Sequence, residues 1–129
     1  MKLNRIAVIA GLALGGVTYV STQQQVDAAG WHKGTPKVLR HHYTSKRHGI
    51  SYYTTIGKAG FDDGGPGDGL HLKNVKYKKV GKHSYIFSGI EYFYSHKRYH
   101  IKVVGNSHKV TSRETYPYNN KYWSGWDYR

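Results

Sequence analysis

Cysteine is absent from this 129-residue chain, which excludes a disulfide framework, a thiolate metal site, a cysteine nucleophile and a lipid-modified N-terminal cysteine. Carboxylates are scarce: 7 Asp and Glu stand against 20 Lys and Arg, a formal net charge of +13. That imbalance excludes a neutral surface and points to an anionic partner. Aliphatic residues are also thin, since from Ala29 onward there are 17 residues of Leu, Ile, Val and Phe. A long apolar run occurs once, at Ile6–Val20, and the length allows a single domain. The chain has instead 13 tyrosines, 3 tryptophans, 9 histidines and 16 glycines.

The apolar run follows Lys2 and Arg5 and is followed by polar Ser21–Gln25 and the small-residue stretch Val26-Asp27-Ala28-Ala29-Gly30. Its 15 residues fall short of the roughly 20 needed to cross a bilayer. A basic segment, a short apolar segment and a small-residue exit predict a secretory signal helix over residues 1–28, cleaved after Ala28. The expected mature chain, residues 29–129, is then extracellular or associated with a cell wall, without a transmembrane anchor. Its freedom from cysteine fits Gram-positive export.

Aromatic and β-branched residues favour strands over helices. Ile50, Tyr52, Thr54 and Ile56 alternate with Ser51, Tyr53 and Thr55, and Tyr99, Ile101 and Val103 alternate with His100, Lys102 and Val104. A period of two predicts half-buried strands. Turn signals fall at Gly57–Gly60, Val80-Gly81-Lys82, Ser95–Arg98 and Gly105-Asn106-Ser107. Phe61–Gly69 reads as one long loop, and a phase slip at Gly89 predicts a β-bulge after which Ile90, Tyr92 and Tyr94 continue the inner face. The expected fold is all-β: a small antiparallel meander of about five to seven strands, closed as a barrel or sandwich.

The segment Gly30-Trp31-His32-Lys33-Gly34-Thr35-Pro36-Lys37-Val38-Leu39-Arg40 resembles the start of short secreted proteins of lactic acid bacteria, which read Trp-His-Lys-Gly-Thr-Pro-Lys. Those proteins continue with Gly-x-aromatic after the arginine, where this chain has His41-His42-Tyr43. The resemblance implies a secreted product and carries no activity with it.

Lys73, Lys76, Lys78, Lys79, Lys82, Lys97 and Arg98 crowd one predicted hairpin and the next turn. Aligned cations of this kind suit an anionic cell-envelope polymer such as teichoic acid or an acidic glycan. The plainer alternative is a solvated face that keeps strand edges apart. Nucleic acid is the less favoured polyanion, because mature arginines are few and no glycine-aromatic recognition motif appears. The aromatic tail allows two readings. Tyr122, Trp123 and Trp126 close the barrel and complete its core, or Tyr118, Tyr122, Trp123 and Trp126 contact glycan. The first is favoured, because aliphatics are few.

The histidines lack the convergent spacing of a zinc site, so no metal and no cofactor is expected. Their expected role is to add charge, and so wall retention, as pH falls. Asp62, Asp63 and Asp68 read as a solvated turn rather than a calcium loop. Glu91, Glu114 and Asp127 are the other mature acids; Glu91 and Glu114 stand on strands that could approach one another, but no motif marks them as a catalytic pair. The expected function is therefore non-enzymatic association with anionic envelope polymers. A cationic antibacterial, membrane-active protein and a small secreted hydrolase are the competing classes.

Overall fold

The computed structural model describes residues 30–129; the expected signal segment lies outside the described residues. The unit His32–Arg129 is built from nine strands and one 3-10 turn. The strands are β1 (His32–Lys33), β2 (His42–Arg47), β3 (Ile50–Ile56), β4 (Phe61–Gly65), β5 (Asp68–Gly81), β6 (Ser84–Glu91), β7 (Arg98–Gly105), β8 (Lys109–Tyr116) and β9 (Asp127–Tyr128). All paired neighbours are antiparallel. The sheet runs β5-β4-β3-β2-β9-β8-β7-β6 and returns to β5, which makes a closed eight-stranded barrel, with β1 added alongside β5.

The alternation read in β3 and β7 holds. Thr54 and Ile56 point inward from β3, and Ile101 and Val103 from β7. The seam is the unexpected part. β9 is two residues long, and it joins β2 through Thr44↔Tyr128 and β8 through Lys109↔Tyr128 and Val110↔Asp127.

Two expectations about glycine are corrected. Phe61–Gly69 is a hairpin rather than a loop: Gly64 pairs with Gly69 and Gly65 with Asp68 around a tip at Pro66-Gly67. Glycine serves here for close approach, since a Cβ on Gly69 would lie 2.3 Å from the Asp63 carbonyl oxygen. The bulge exists, but on the facing strand. Between Lys73↔Ile90 and Lys76↔Ser88, β5 sets Asn74 and Val75 against Gly89 alone. Asn74 takes a left-handed φ of 52°, and a Cβ on Gly89 would sit 3.0 Å from both Leu72 Cβ and Val75 Cγ2. β6 itself keeps phase against β7, so Tyr85, Phe87, Gly89 and Glu91 face inward and Ile90 does not.

The core is Leu39, Tyr43, Ile56, Phe61, Leu72, Val75, Tyr85, Phe87, Ile101, Val103 and Val110. It fills one end of the barrel. The 3-10 turn Lys37–Leu39 plugs that end with Leu39, and the Tyr43 hydroxyl donates to the carbonyls of Leu39 at 3.0 Å and Asn106 at 3.1 Å. Arg40 ties the plug together by donating to the Thr35 carbonyl. Aliphatics therefore carry more of the core than their number suggests, and the aromatic tail carries none of it.

Candidate functional site

The opposite end of the barrel is open and polar. Pleating decides which side chains meet there, because inward residues of antiparallel neighbours share rows. Ser45↔Tyr52, Thr54↔Asp63, Leu72↔Glu91, Ile101↔Glu114 and Val110↔Asp127 are all inward pairs. Four carboxylates, from β4, β6, β8 and the seam strand β9, thus project into one interior. Together with Arg47 and Arg113 they line a cavity of about 750 Å³.

Asp127 is held most firmly. It is 4% exposed and accepts hydrogen bonds from Ser45 Oγ at 2.6 Å, Thr54 Oγ1 at 2.6 Å and Arg47 Nη1 at 3.2 Å. The guanidinium of Arg47 also donates to Ser45 and to the carbonyls of Ser124 and Trp126, and lies 4.1 Å from the Tyr52 ring centroid. Glu91, 2% exposed, accepts the backbone N–H groups of Phe93 (2.8 Å), Tyr94 (2.9 Å) and Ser95 (2.6 Å). Burial would raise its pKa, yet these donors outweigh burial and hold the carboxyl below its ordinary value.

Asp63 and Glu114 are less well compensated. Asp63 accepts the Leu70 N–H at 3.1 Å and the Ser112 hydroxyl at 3.4 Å. Burial, reinforced by the nearby charge of Asp127, pushes it up to about 6. Burial likewise raises Glu114, against the Tyr118 N–H it accepts at 3.1 Å. The expectation that Asp63 sits in a solvated turn is thus corrected. It stands on an inward row of β4, while Asp62 on the outer face accepts from His71 Nδ1 at 2.8 Å and Tyr92 hydroxyl at 3.1 Å.

The folded-state pKa of Asp63 lies above the unfolded value of about 3.9, so the folded protein keeps a proton that the unfolded chain releases. Stability should fall as pH rises from about 4 to 6 on this account, and the full cost is present above 6. Asp63→Asn keeps the acceptor for Leu70 and removes that cost. Urea unfolding should find the variant about 1–3 kcal/mol more stable than wild type at pH 8 and nearly equal at pH 4. An equal difference at both pH values would refute the assignment.

The tail crosses this open end. Ser124 N–H donates to the Ser112 carbonyl at 2.8 Å, Asn120 N–H to the Glu114 carbonyl at 3.0 Å, and Arg113 to Asn119 and Asn120. This strapping leaves Tyr118, Tyr122 and Trp123 on the cavity rim, 70%, 71% and 41% exposed, with Tyr94 beside them. The favoured expectation, that Tyr122, Trp123 and Trp126 complete the core, is corrected. Trp126 stands apart from the cavity, with Lys109 Nζ 4.5 Å from its ring centroid.

The cations sort differently from the sequence grouping. Lys73, Lys76 and Lys78 share the outer face of β5, because the bulge restores phase after Asn74. Lys82 lies in the β5–β6 turn and Lys97 in the connection before β7, so the two sit near opposite ends of the barrel. Lys79 is on the inward row at the closed end, its ammonium 6.0 Å from the Tyr85 ring centroid, and does not join the face. Arg98 lies on the outer face and donates to Ser88 Oγ at 2.9 Å.

Two further cations complete the face, Lys33 opposite Lys76 and Lys102 on the row that begins at Lys78; Arg113 starts on that row but its guanidinium donates to Asn119 and Asn120 at the cavity rim, and His100 lies on the row of Lys76. Burial, and then the charges of Arg98 and Lys76, lower the His100 pKa. The alternation of β7 was the signal that could have found His100 and Lys102.

No family model, curated protein or solved structure matches the chain. Among the described residues no three His, Asp or Glu side chains are placed to hold a metal ion, and no helix is long and apolar enough to cross a membrane.

Proposed function

We propose that the protein is a secreted, non-enzymatic, cationic barrel that associates non-covalently with anionic cell-envelope polymers, either teichoic acid or acidic glycan. The observation that carries this reading is a segregation of charge. Of the five carboxylates whose side chains are described, Asp63, Glu91, Glu114 and Asp127 face the interior, and Asp62 is engaged by His71 and Tyr92. Among the described residues, the outer face of β5–β8 carries Lys73, Lys76, Lys78, Arg98 and Lys102 and no acid.

Protection of a strand edge is the competing use for such lysines. It accounts for part of the row only: β5 pairs with β4 over Asp68–Leu72 and with β6 over Leu72–Gly81, so Lys73 and Lys78 stand beside an edge that β1 covers at Lys76 and Tyr77. Lys102, on β7, is paired on both sides, with Ile86 of β6 and Arg113 of β8, and has no edge to guard. A polyanion lying across the rows would meet charges from three strands at once.

The test is co-sedimentation with purified cell walls, before and after teichoic acid removal, across a salt series at pH 7 and pH 5. Binding should fall steeply with salt and strengthen at pH 5 as histidines charge. The combined variant Lys76→Glu, Lys78→Glu, Lys102→Glu should weaken it about 100-fold or more. Binding that ignores salt, or survives the triple reversal, overturns the proposal. Dye release from anionic vesicles at the same concentrations would transfer the charge to a membrane-active role.

A further inference from the structure

We propose that the cavity at the open end is a binding site for a neutral saccharide of one or two rings, separate from the cationic outer face. Its volume of about 750 Å³ lies within the range that encloses small organic ligands.

The rim carries Tyr94, Tyr118, Tyr122 and Trp123, rings that the core does not use and that remain substantially exposed. Clustered exposed rings cost apolar hydration unless something covers them. Backbone bonds fix their placement: Tyr118 N–H to Glu114, and Ser124 N–H to the Ser112 carbonyl. The wall supplies polar atoms held in fixed positions. A carboxylate oxygen has two lone pairs, so Asp63 and Glu114 retain acceptor capacity beyond the N–H each accepts.

Charge selects among ligands. An anion would enter a chamber lined by four carboxylates, which disfavours the polymers suited to the outer face. A cation would meet like charge at the mouth, where the protein's own arginines already lie against two of the rings. Arg47 lies 4.1 Å from the Tyr52 centroid and Arg113 5.5 Å from that of Trp123. A neutral pyranose suits what is left: its C–H face covers a ring, and its hydroxyls both donate to carboxylates and accept from guanidinium. Because the outer lysines take no part, this proposal and the polymer-binding proposal can fail independently.

The experiment is a titration of the protein followed by tryptophan emission and by amide chemical shifts. The probes are maltose, the β-linked dimer of N-acetylglucosamine, glucuronate and spermidine. One or both neutral disaccharides should shift the amides of Gly65, Ser112 and Ser124 and change the Trp123 emission. Trp123→Ala should weaken that binding about tenfold or more. Tyr122→Ala, at a more exposed ring, should weaken it without disturbing the fold. The Lys76, Lys78, Lys102 triple reversal should leave it unchanged. Silence from both disaccharides at millimolar concentration overturns the proposal. Shifts with spermidine or glucuronate alone, or disaccharide binding indifferent to Trp123 and Tyr122, overturn it as well.

Discussion

Asp127→Ala is expected to lower the free energy of unfolding by about 3–5 kcal/mol, the cost of removing one partner from a buried ion pair. The carboxylate is 4% exposed, and it accepts from two hydroxyls and one guanidinium. Its loss leaves Arg47 charged without its counter-ion, and leaves the Thr54 hydroxyl beside an empty space. It also strips the side-chain anchor from β9, whose backbone pairing amounts to one residue pair with β2 and two with β8. The effect should therefore be local as well as global. Amide exchange should accelerate in β2 and β8 before it does in β6 and β7. Asp127→Asn, which keeps the acceptor and drops the charge, should fall between wild type and alanine. A loss under about 1 kcal/mol, or uniform exchange around the ring, would show that the strap at Ser124 holds the seam without Asp127.

Glu91→Ala should cost about 2–4 kcal/mol, because three backbone donors lose their acceptor together. Phe93, Tyr94 and Ser95 turn around this one carboxylate at 2.8, 2.9 and 2.6 Å. The turn positions Tyr94 on the cavity rim, so the variant should also loosen that side of the mouth. The pH dependence has a definite sign. Glu91 is held below its ordinary pKa, so its contribution is fully present above the unfolded value and is lost as pH falls through the lower, folded one. Wild type and variant should thus converge in strong acid. Chemical unfolding at pH 7 and pH 3 measures both; a gap of the same size at pH 3 would mean that the charge is not what organises the turn. Asp63 acts with the opposite sign, so the two carboxylates, close in the fold, pull the stability profile in opposite directions.

Much of the barrel is legible locally. The alternation Ile50-Tyr52-Thr54-Ile56 and Tyr99-Ile101-Val103 identifies two strands and their inner faces, and the turns at Gly57–Gly60 and Gly105–Ser107 fall where glycine places them. What escapes is whatever depends on partners distant in sequence. The glycines of β4 resemble a loop until Gly69 is seen against the Asp63 carbonyl. Asn74 shows its part in the bulge only once Gly89 stands opposite. Two residues cannot display a period, so β9 leaves no strand signature. The cavity is harder still, because Asp63, Glu91, Glu114 and Asp127 are unremarkable one by one and converge only when the sheet closes. Grouping lysines by sequence proximity has the same weakness: it includes Lys79, which lies on the opposite row from Lys78, and omits Lys102, which shares the row of Lys78.

The two-residue seam also bears on how the ring assembles. Each hairpin from β2 to β8 forms between neighbours in the chain, whereas the Ser45–Asp127 contact spans 82 positions. Contacts that close long loops are slow to form, so β9 should dock last, onto a sheet already curled. Until it does, β2 and β8 are two open edges with unmet backbone donors and acceptors, the arrangement most prone to pairing with another chain. Vulnerability to aggregation in this protein is thus a matter of timing, confined to the interval before Asp127 reaches Ser45 and Thr54.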